Sequence, residues 1–497
     1  MRSSLKMLAA LVAAAALALP ARAQFAVAED APKKPDGSAK PDEKKGEEKK
    51  DDKKKDEKKD RWLAILNGDV HTISDGVLRG ATLLCKNGKI HALGYGVEVP
   101  KEAATIDATG LHLYPGLIAV NSAQVIGAEP LDLTTDVFSY NVTFGLACGW
   151  TTIVSGNSAG KLTYGTLDGL LLRSNLLMRM SYQSGDERRR VRDDFENARE
   201  FLRKRKLFEQ QRAANQPAEE PKPDGVNQEY LKLLGGDAIA RFDAFTAEDL
   251  RSIAKLVTEY GFKAVVFGAT EGWIVAEELG RAGISCVVTP MTPRVERDPR
   301  LNRPNGATIE NAALLWKGGV KVAVIPATAR LGTDGLVERD LRTPTLEAAF
   351  AVRGGLPREA AEAALTLNAA RVLGIDDRVG SLEVGKDADV ILLDGELLDY
   401  ESFVYYAVVN GRLAYDKAKE SLFRDLRPRP STYQEPKPPE PPKEEAKTEE
   451  KKDEGKKEEK KEEGKKEGEG EAKKDGGEKK PDETPKPEEK SALELTS

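Results

Sequence analysis

"KAVVFGATEGWIVAEELGRAGISCVVTP", residues 263–290, sets two short apolar runs on either side of a segment with helical spacing. Residues 263–269 and 284–290 are apolar at nearly every position, which suits strands buried on both faces, and such strands belong to parallel sheets covered by helices. The intervening 270–283 starts at Thr270, carries Glu271 in its first turn and stops at Gly283, the punctuation of a helix. Strand, helix and strand in this order make a parallel crossover unit.

The style recurs in "YPGLIAVN" (114–121), "GWTTIVSGN" (149–157), "LLMRMSY" (176–182), "AIARFDAF" (238–245) and "VKVAVIPA" (320–327). Helical patterns at 246–261 and 357–374 open on capping residues and close on glycine. Seven strand runs, with one stretch too irregular to assign, approach a (β/α)8 TIM-type barrel over 113–375. A doubly wound open sheet is the alternative. The segment 186–225, a charged helix followed by a Pro-rich loop, reads as an insertion.

Outside this α/β region the pattern changes to period-two alternation: "RWLAILNGDVHTI" (61–73) and "GATLLCKNGKIHALG" (80–94) before it, "DADVILLDGELL" (387–398) and "FVYYAVVNGRLAYD" (403–416) after it. Asn87-Gly88 and Asn410-Gly411 are hairpin turns, because both central positions of a type I′ turn need positive φ.

The ends of the chain are not core. Residues 24–60 and 419–497 are dominated by Lys, Glu, Asp and Pro and lack the apolar surface needed to offset ordering, so they are expected to be disordered tails. Net charge is only -6, from 77 basic and 83 acidic residues, and nucleic-acid binding by bulk charge is excluded. Residues 1–23 combine a basic start, a short apolar run and "ARA" before the cut, a signal peptide predicting export to the periplasm or outside. A retained anchor is the alternative, and no later apolar run is long enough to span a bilayer. Cys85, Cys148 and Cys286 are too few for a disulfide framework; they read as buried residues, with a single bridge left open.

The block "LTLNAARVLGIDDRVGSLEVGKDADVILLDGELLDYESFVYYAVVNGRLAYD" (365–416), with "LHLYPGLIAVNSAQ" (111–124) and the central 244–290, resembles the amidohydrolase superfamily, in particular its imidazolonepropionase-related branch. The resemblance covers roughly residues 61–418. It implies that 61–112 and 376–418 join as one composite β-sandwich with the barrel inserted between them. It also implies a divalent metal such as zinc, held by an H-x-H pair after strand one, histidines after strands five and six, and an Asp after strand eight. Such an ion lowers the pKa of bound water and polarises the scissile C–N carbonyl.

In this sequence those positions fall on Asn121 and Ala123, Asp243, Gly268 and Ala327, a degenerate set; a second register would bring Asp334 to the last position. The chain has three histidines, His71, His91 and His112, all before or at the edge of the first barrel strand. A multi-histidine site cannot be assembled, and no metal cofactor is expected. No G-x-S-x-G elbow is present, and the Gly-rich 155–169 lacks both phosphate-binding spacings and reads as a loop over the barrel mouth.

Polar groups at strand ends are Ser122, Asn157, Arg179, Tyr182, Asp243, Glu271, Arg294 and Asp334. Asn121, Asn157, Arg179, Asp243 and Arg294 are the ligand-binding candidates, with Asp243 paired to Arg179 or Arg294 suited to a small zwitterion. The reading is a non-catalytic binding protein for a small molecule or protein partner, compatible with a homodimer. The rival is an active C–N hydrolase with a rearranged site around Asp243 and Asp334. A third places function in the charged tails.

Overall fold

A tight turn at Asn87-Gly88, with φ of 50° and 89°, closes the first hairpin of the chain as its sequence requires. It joins β2 (Val77–Lys86) to β3 (Lys89–Gly94), and β1 (Trp62–His71) lies antiparallel on the other side of β2. β4 (Ala104–Asp107) and β5 (His112–Pro115) then run parallel to β1. The computed structural model describes residues 60–123, 125–291, 306–326 and 337–436. All elements below belong to the unit Trp62–Ser497.

The chain next enters the β/α region through β6 (Leu117–Ser122) and β7 (Trp150–Ser155), which pair in parallel. A hairpin, β8 (Ser158–Lys161) with β9 (Leu171–Arg173), extends this sheet. A second, wholly parallel sheet holds β10 (Leu177–Met180), β11 (Ile239–Ala244), β12 (Lys263–Gly268), β13 (Ser285–Val288) and β14 (Lys321–Val324). Ile118, Val120, Val154, Val265, Phe267, Val287 and Ala323 from the two sheets share one apolar core, which also takes Ala369, Val372 and Leu373 from the helix Leu367–Leu373. Residues alternating with these bury against the surrounding helices. Burial of both faces is why the strand runs read as continuously apolar.

β15 (Val390–Leu393), β16 (Val404–Val409) and β17 (Arg412–Asp416) bring the chain back. β15 pairs antiparallel with β5, matching Ile391 to Tyr114 and Leu392 to Leu113, so the two flanking strand groups do join. They form one hydrogen-bonded sheet, β17-β16-β15-β5-β1-β2-β3 with β4 on β1, in place of two separate halves. The Asn410-Gly411 turn, φ 50° and 63°, meets the Asn87-Gly88 turn across Ala388: Ala388 N–H donates to Gly88 O and Gly411 N–H donates to Ala388 O.

Three expectations change. The single helix read over 357–374 is two, Arg358–Leu365 and Leu367–Leu373, because Thr366 leaves helical geometry at φ -128°, ψ -95°. The Gly-rich 155–169 is not a loop over strand ends; it makes the fully buried β8 and the turns around it. The tail does not begin at 419: Gln434 exchanges both backbone hydrogen bonds with Thr105 of β4, Thr432 N–H donates to Tyr406 Oη, and Ser431 Oγ donates to Asp416. Polar contacts to the sheet, with Tyr433 packed on its core and Phe423 edge-on to Phe144, hold residues 420–436 in place, and a composition this poor in apolar residues does not show it. The signal segment, the linker through 59 and the chain beyond 436 lie outside the described residues. Among the described residues no helix is long and apolar enough to cross a membrane.

Lys161 is the least expected core residue. Its side chain is 0% exposed, and its ammonium donates to Asp387 Oδ2 and Asn410 Oδ1, both at 2.7 Å. It also lies 2.9 Å from Asp389 Oδ2, a charge contact whose angle is too poor for a hydrogen bond. Burial would raise the Asp387 carboxyl, but Lys161 and Arg378, which donates to the same Oδ2 at 2.7 Å, outweigh burial and hold it below its ordinary value. Lys161→Met should take the buried cation away from Asp389 and leave Asp387 to Arg378 and Lys89, lowering unfolding free energy by about 3–5 kcal/mol, measured by denaturant titration.

His71 stacks on Tyr114 at 4.1 Å between centroids, and its Nε2 lies 3.1 Å from His112 Nδ1. Burial first, then the neighbouring His112, pushes it from 6.5 down to about 4. A depressed folded-state pKa on a base gives stability that is present above 6.5 and lost as pH falls through about 4. His71→Phe, which keeps the stacking, should remove about 1–2 kcal/mol of the stability change between those limits, discounted for partial exposure. Unfolding titrations of both proteins across that range check it.

Candidate functional site

The C-terminal ends of the parallel strands gather most of the polar residues that the sequence singles out. β11 alternates sharply: Ala240, Phe242 and Ala244 bury against helices, while Ile239 joins the core shared by the two sheets. Period two therefore puts Arg241 and Asp243 on the side of Ile239. β10 pairs with β11 in the register Arg179↔Arg241, so Asp243 stands one inward position beyond both arginines.

The result is a carboxylate held from two sides. Asp243 Oδ1 accepts from Arg241 Nε at 3.2 Å and Nη2 at 3.0 Å; Oδ2 accepts from Arg179 Nε at 3.2 Å and Nη2 at 3.0 Å. A carboxylate has about four acceptor sites, and four N–H groups fill them. In this arrangement Asp243 has no lone pair for a water's proton, and a metal ion would have to displace two guanidiniums to reach it. Arg241 is fixed in turn by Phe267 of β12, its guanidinium lying 3.8 Å from the ring centroid.

The other strand-end groups serve the fold. Ser122 Oγ donates to Val154 O at 2.6 Å, tying β6 to β7. Asn157 accepts Leu177 N–H on Oδ1 at 2.9 Å and Leu176 N–H on its carbonyl at 3.0 Å, joining the turn after β7 to β10. Glu271 Oε2 accepts from Ala247 N–H at the start of the helix Ala247–Tyr260. Tyr182 packs on Phe242 on the helix side and accepts from Arg192 Nε. Asn121 is the next-to-last residue of β6, and Ala123 follows the strand's last residue, Ser122. Arg294, Ala327 and Asp334 lie outside the described residues, so the structure brings Asp243 to Arg179 and says nothing of Arg294.

Gly268, where the family pattern has a histidine, sits at φ +102°. A Cβ there would lie 2.5 Å from Phe245 Cε1 and 3.1 Å from Ala244 O. All three histidines belong to β1, β3 and β5 of the large sheet. His91 faces Trp62 edge-on, and His71 contacts His112. The three cysteines are buried; burial pushes the Cys286 thiol in β13 up to about 12, which leaves no thiolate nucleophile there. The donor set at the described family positions, Asn121, Ala123, Asp243 and Gly268, does not fit a divalent metal of the family type.

Arg241 and Phe267 were missed in the sequence. The signal was available: in "AIARFDAF" Arg241 shares the inward face with Asp243, and a charge two residues before a candidate carboxylate is its nearest same-face neighbour.

A model of the amidohydrolase family matches residues 245–420. No curated protein matches the chain significantly. Among solved structures, an amidohydrolase from Thermotoga maritima MSB8 is 23% identical, with 71% of this chain and 100% of that chain covered and a TM-score of 0.54. A β-aspartyl dipeptidase from Fervidobacterium islandicum-AW-1 is 16% identical over 71% and 97% of the two chains, TM-score 0.46. An adenosine deaminase from Xanthomonas campestris with bound zinc is 18% identical over 71% and 93%, TM-score 0.40. Residues 245–420 are thus similar to the amidohydrolase family, and the likeness to the Thermotoga protein is one of fold.

Proposed function

We propose that this chain is an exported amidohydrolase-type protein that binds a ligand without carrying out metal-dependent hydrolysis. The β6–β7 pair and the five-stranded parallel sheet are read as arcs of one barrel in the style of the imidazolonepropionase-related branch. The observation that supports this reading best is the state of Asp243, the one carboxylate among the described family positions, whose acceptor sites are filled by Arg179 and Arg241. Residues 1–23 supply the export signal.

The family reaction needs a metal to activate water and a carboxylate free to take its proton. Asn121 and Ala123 offer one amide oxygen between them, Gly268 offers no side chain, and Asp243 is engaged. A binding role uses what is present: guanidiniums, side-chain amides and a cleft at the strand ends. The rival hydrolase, built on Asp243 and Asp334, would need the Arg179 and Arg241 contacts to open before Asp243 could act.

Elemental analysis of full-length protein prepared without a histidine tag should give zinc, iron and manganese each far below one equivalent per chain. Stoichiometric metal would overturn the proposal. The strand-end geometry should also resist restoration of the family residue: Gly268→His should lower unfolding free energy by at least about 1–3 kcal/mol, the cost of a non-glycine residue at such a φ, with further loss from the clash with Phe245. Gly268→Ala isolates the backbone part. A histidine variant as stable as the parent would mean the strand end can host a ligand after all.

A further inference from the structure

Between the β6–β7 sheet and β10–β11 lies a cavity of about 790 Å³ whose lining includes Asn121, Asn157, Arg173, Arg179, Lys232 and Arg241. Its size is that of a small-molecule site. Four of its lining side chains are cations and two, Glu229 and Asp237, are anions. Among the described residues neither Arg173 nor Lys232 has a carboxylate within ion-pair distance; Arg173 donates instead to the carbonyl of Gly374.

We infer that this cavity is a site for a small oxyanion-bearing molecule, a carboxylate or a phosphate, gripped by Arg241 and Arg179. This names the ligand class for the binding role proposed above and rests on it. Arg241 is the fixed half: its side chain is 20% exposed, stacked on Phe267 and aligned by Asp243. Arg179 is the movable half, 72% exposed, and an ion pair so open to water contributes little. Asp243 occupies the forks that a ligand's planar or tetrahedral oxyanion would take. It is a built-in competitor, so an entering anion exchanges one set of charge-assisted hydrogen bonds for another. Lys232 and Arg173 add positive charge at the rim, and Asn121 and Asn157 belong to elements that border the same space.

The competitor role makes an unusual prediction. Isothermal titration calorimetry of the full chain with inorganic phosphate and, separately, succinate should give saturable binding of at least one probe, weakening as salt is raised. Arg241→Gln should reduce its affinity tenfold or more, and Lys232→Gln, at the exposed rim, two- to threefold. Asp243→Asn should raise affinity several-fold, because it releases both guanidiniums; a catalytic Asp243 predicts no such gain. Binding of phosphate alone identifies phosphorylated ligands, and of succinate alone, carboxylates. Saturable binding of neither probe, or binding indifferent to both Arg241→Gln and Asp243→Asn, overturns the inference. Metal analysis of the same samples separates the two readings: metal-poor protein that binds no anion removes only the ligand class, whereas stoichiometric metal removes the binding-protein reading beneath it.

Discussion

One buried ammonium ties the molecule together. Lys161 belongs to β8, and its partners Asp387, Asp389 and Asn410 come from the segment that carries the chain into β15 and from the turn after β16. An ion pair of this kind returns little net energy, since taking the charges out of water costs nearly as much as their attraction gains. What it gives is uniqueness. With the charge satisfied only in this arrangement, the β7–β8 hairpin cannot slide against the sheet formed by the two chain ends. Arg378 and the exposed Lys89 add to the same carboxylate, so Asp387 is the node where three cations from separate stretches meet.

The consequence reaches the cavity through hydrogen bonds that can be followed one at a time. Fixing β8 fixes the turn that precedes it, and Asn157 in that turn receives the N–H groups of Leu176 and Leu177. β10 therefore starts at a set place, its register against β11 brings Arg179 beside Arg241, and Asp243 follows. The positive charge at the strand ends is supplied by guanidiniums on neighbouring strands. It is delocalised, always protonated, and made for recognising planar oxyanions.

How much of this could be read in the sequence depended on whether a feature was local. All seven parallel strands were visible as apolar runs, because burial on both faces leaves a signal inside each run; the two Asn-Gly turns were visible because φ chemistry is decided by two residues. Lys161 was not, since a lysine among glycines reads as a solvated loop and its partners lie 226 to 249 residues away. Arg241 went unnoticed although its inward face followed from alternation alone. The segment 420–436 was given to the tail because "ESLFRDLRPRPSTYQE" has few apolar groups; Lys417, just before it, sits over Tyr405 at 4.7 Å, and the segment's carbonyls receive that ammonium and the Tyr405 hydroxyl. Polar anchoring leaves no periodicity to read.

A scaffold and the polar groups at its strand ends can draw on different residues, and here the division is plain. The shared core, the β5–β15 pairing and the Lys161 node use none of the positions where the family pattern places metal ligands. Two of them answer local demands: Gly268 holds a backbone angle that other residues adopt only with strain, and Asp243 is gripped by two arginines. Resemblance along the chain thus speaks for architecture, while the strand ends speak for use. Asp243, 37% exposed, meets water and two guanidiniums at once, so its neighbours rather than burial decide what it can accept.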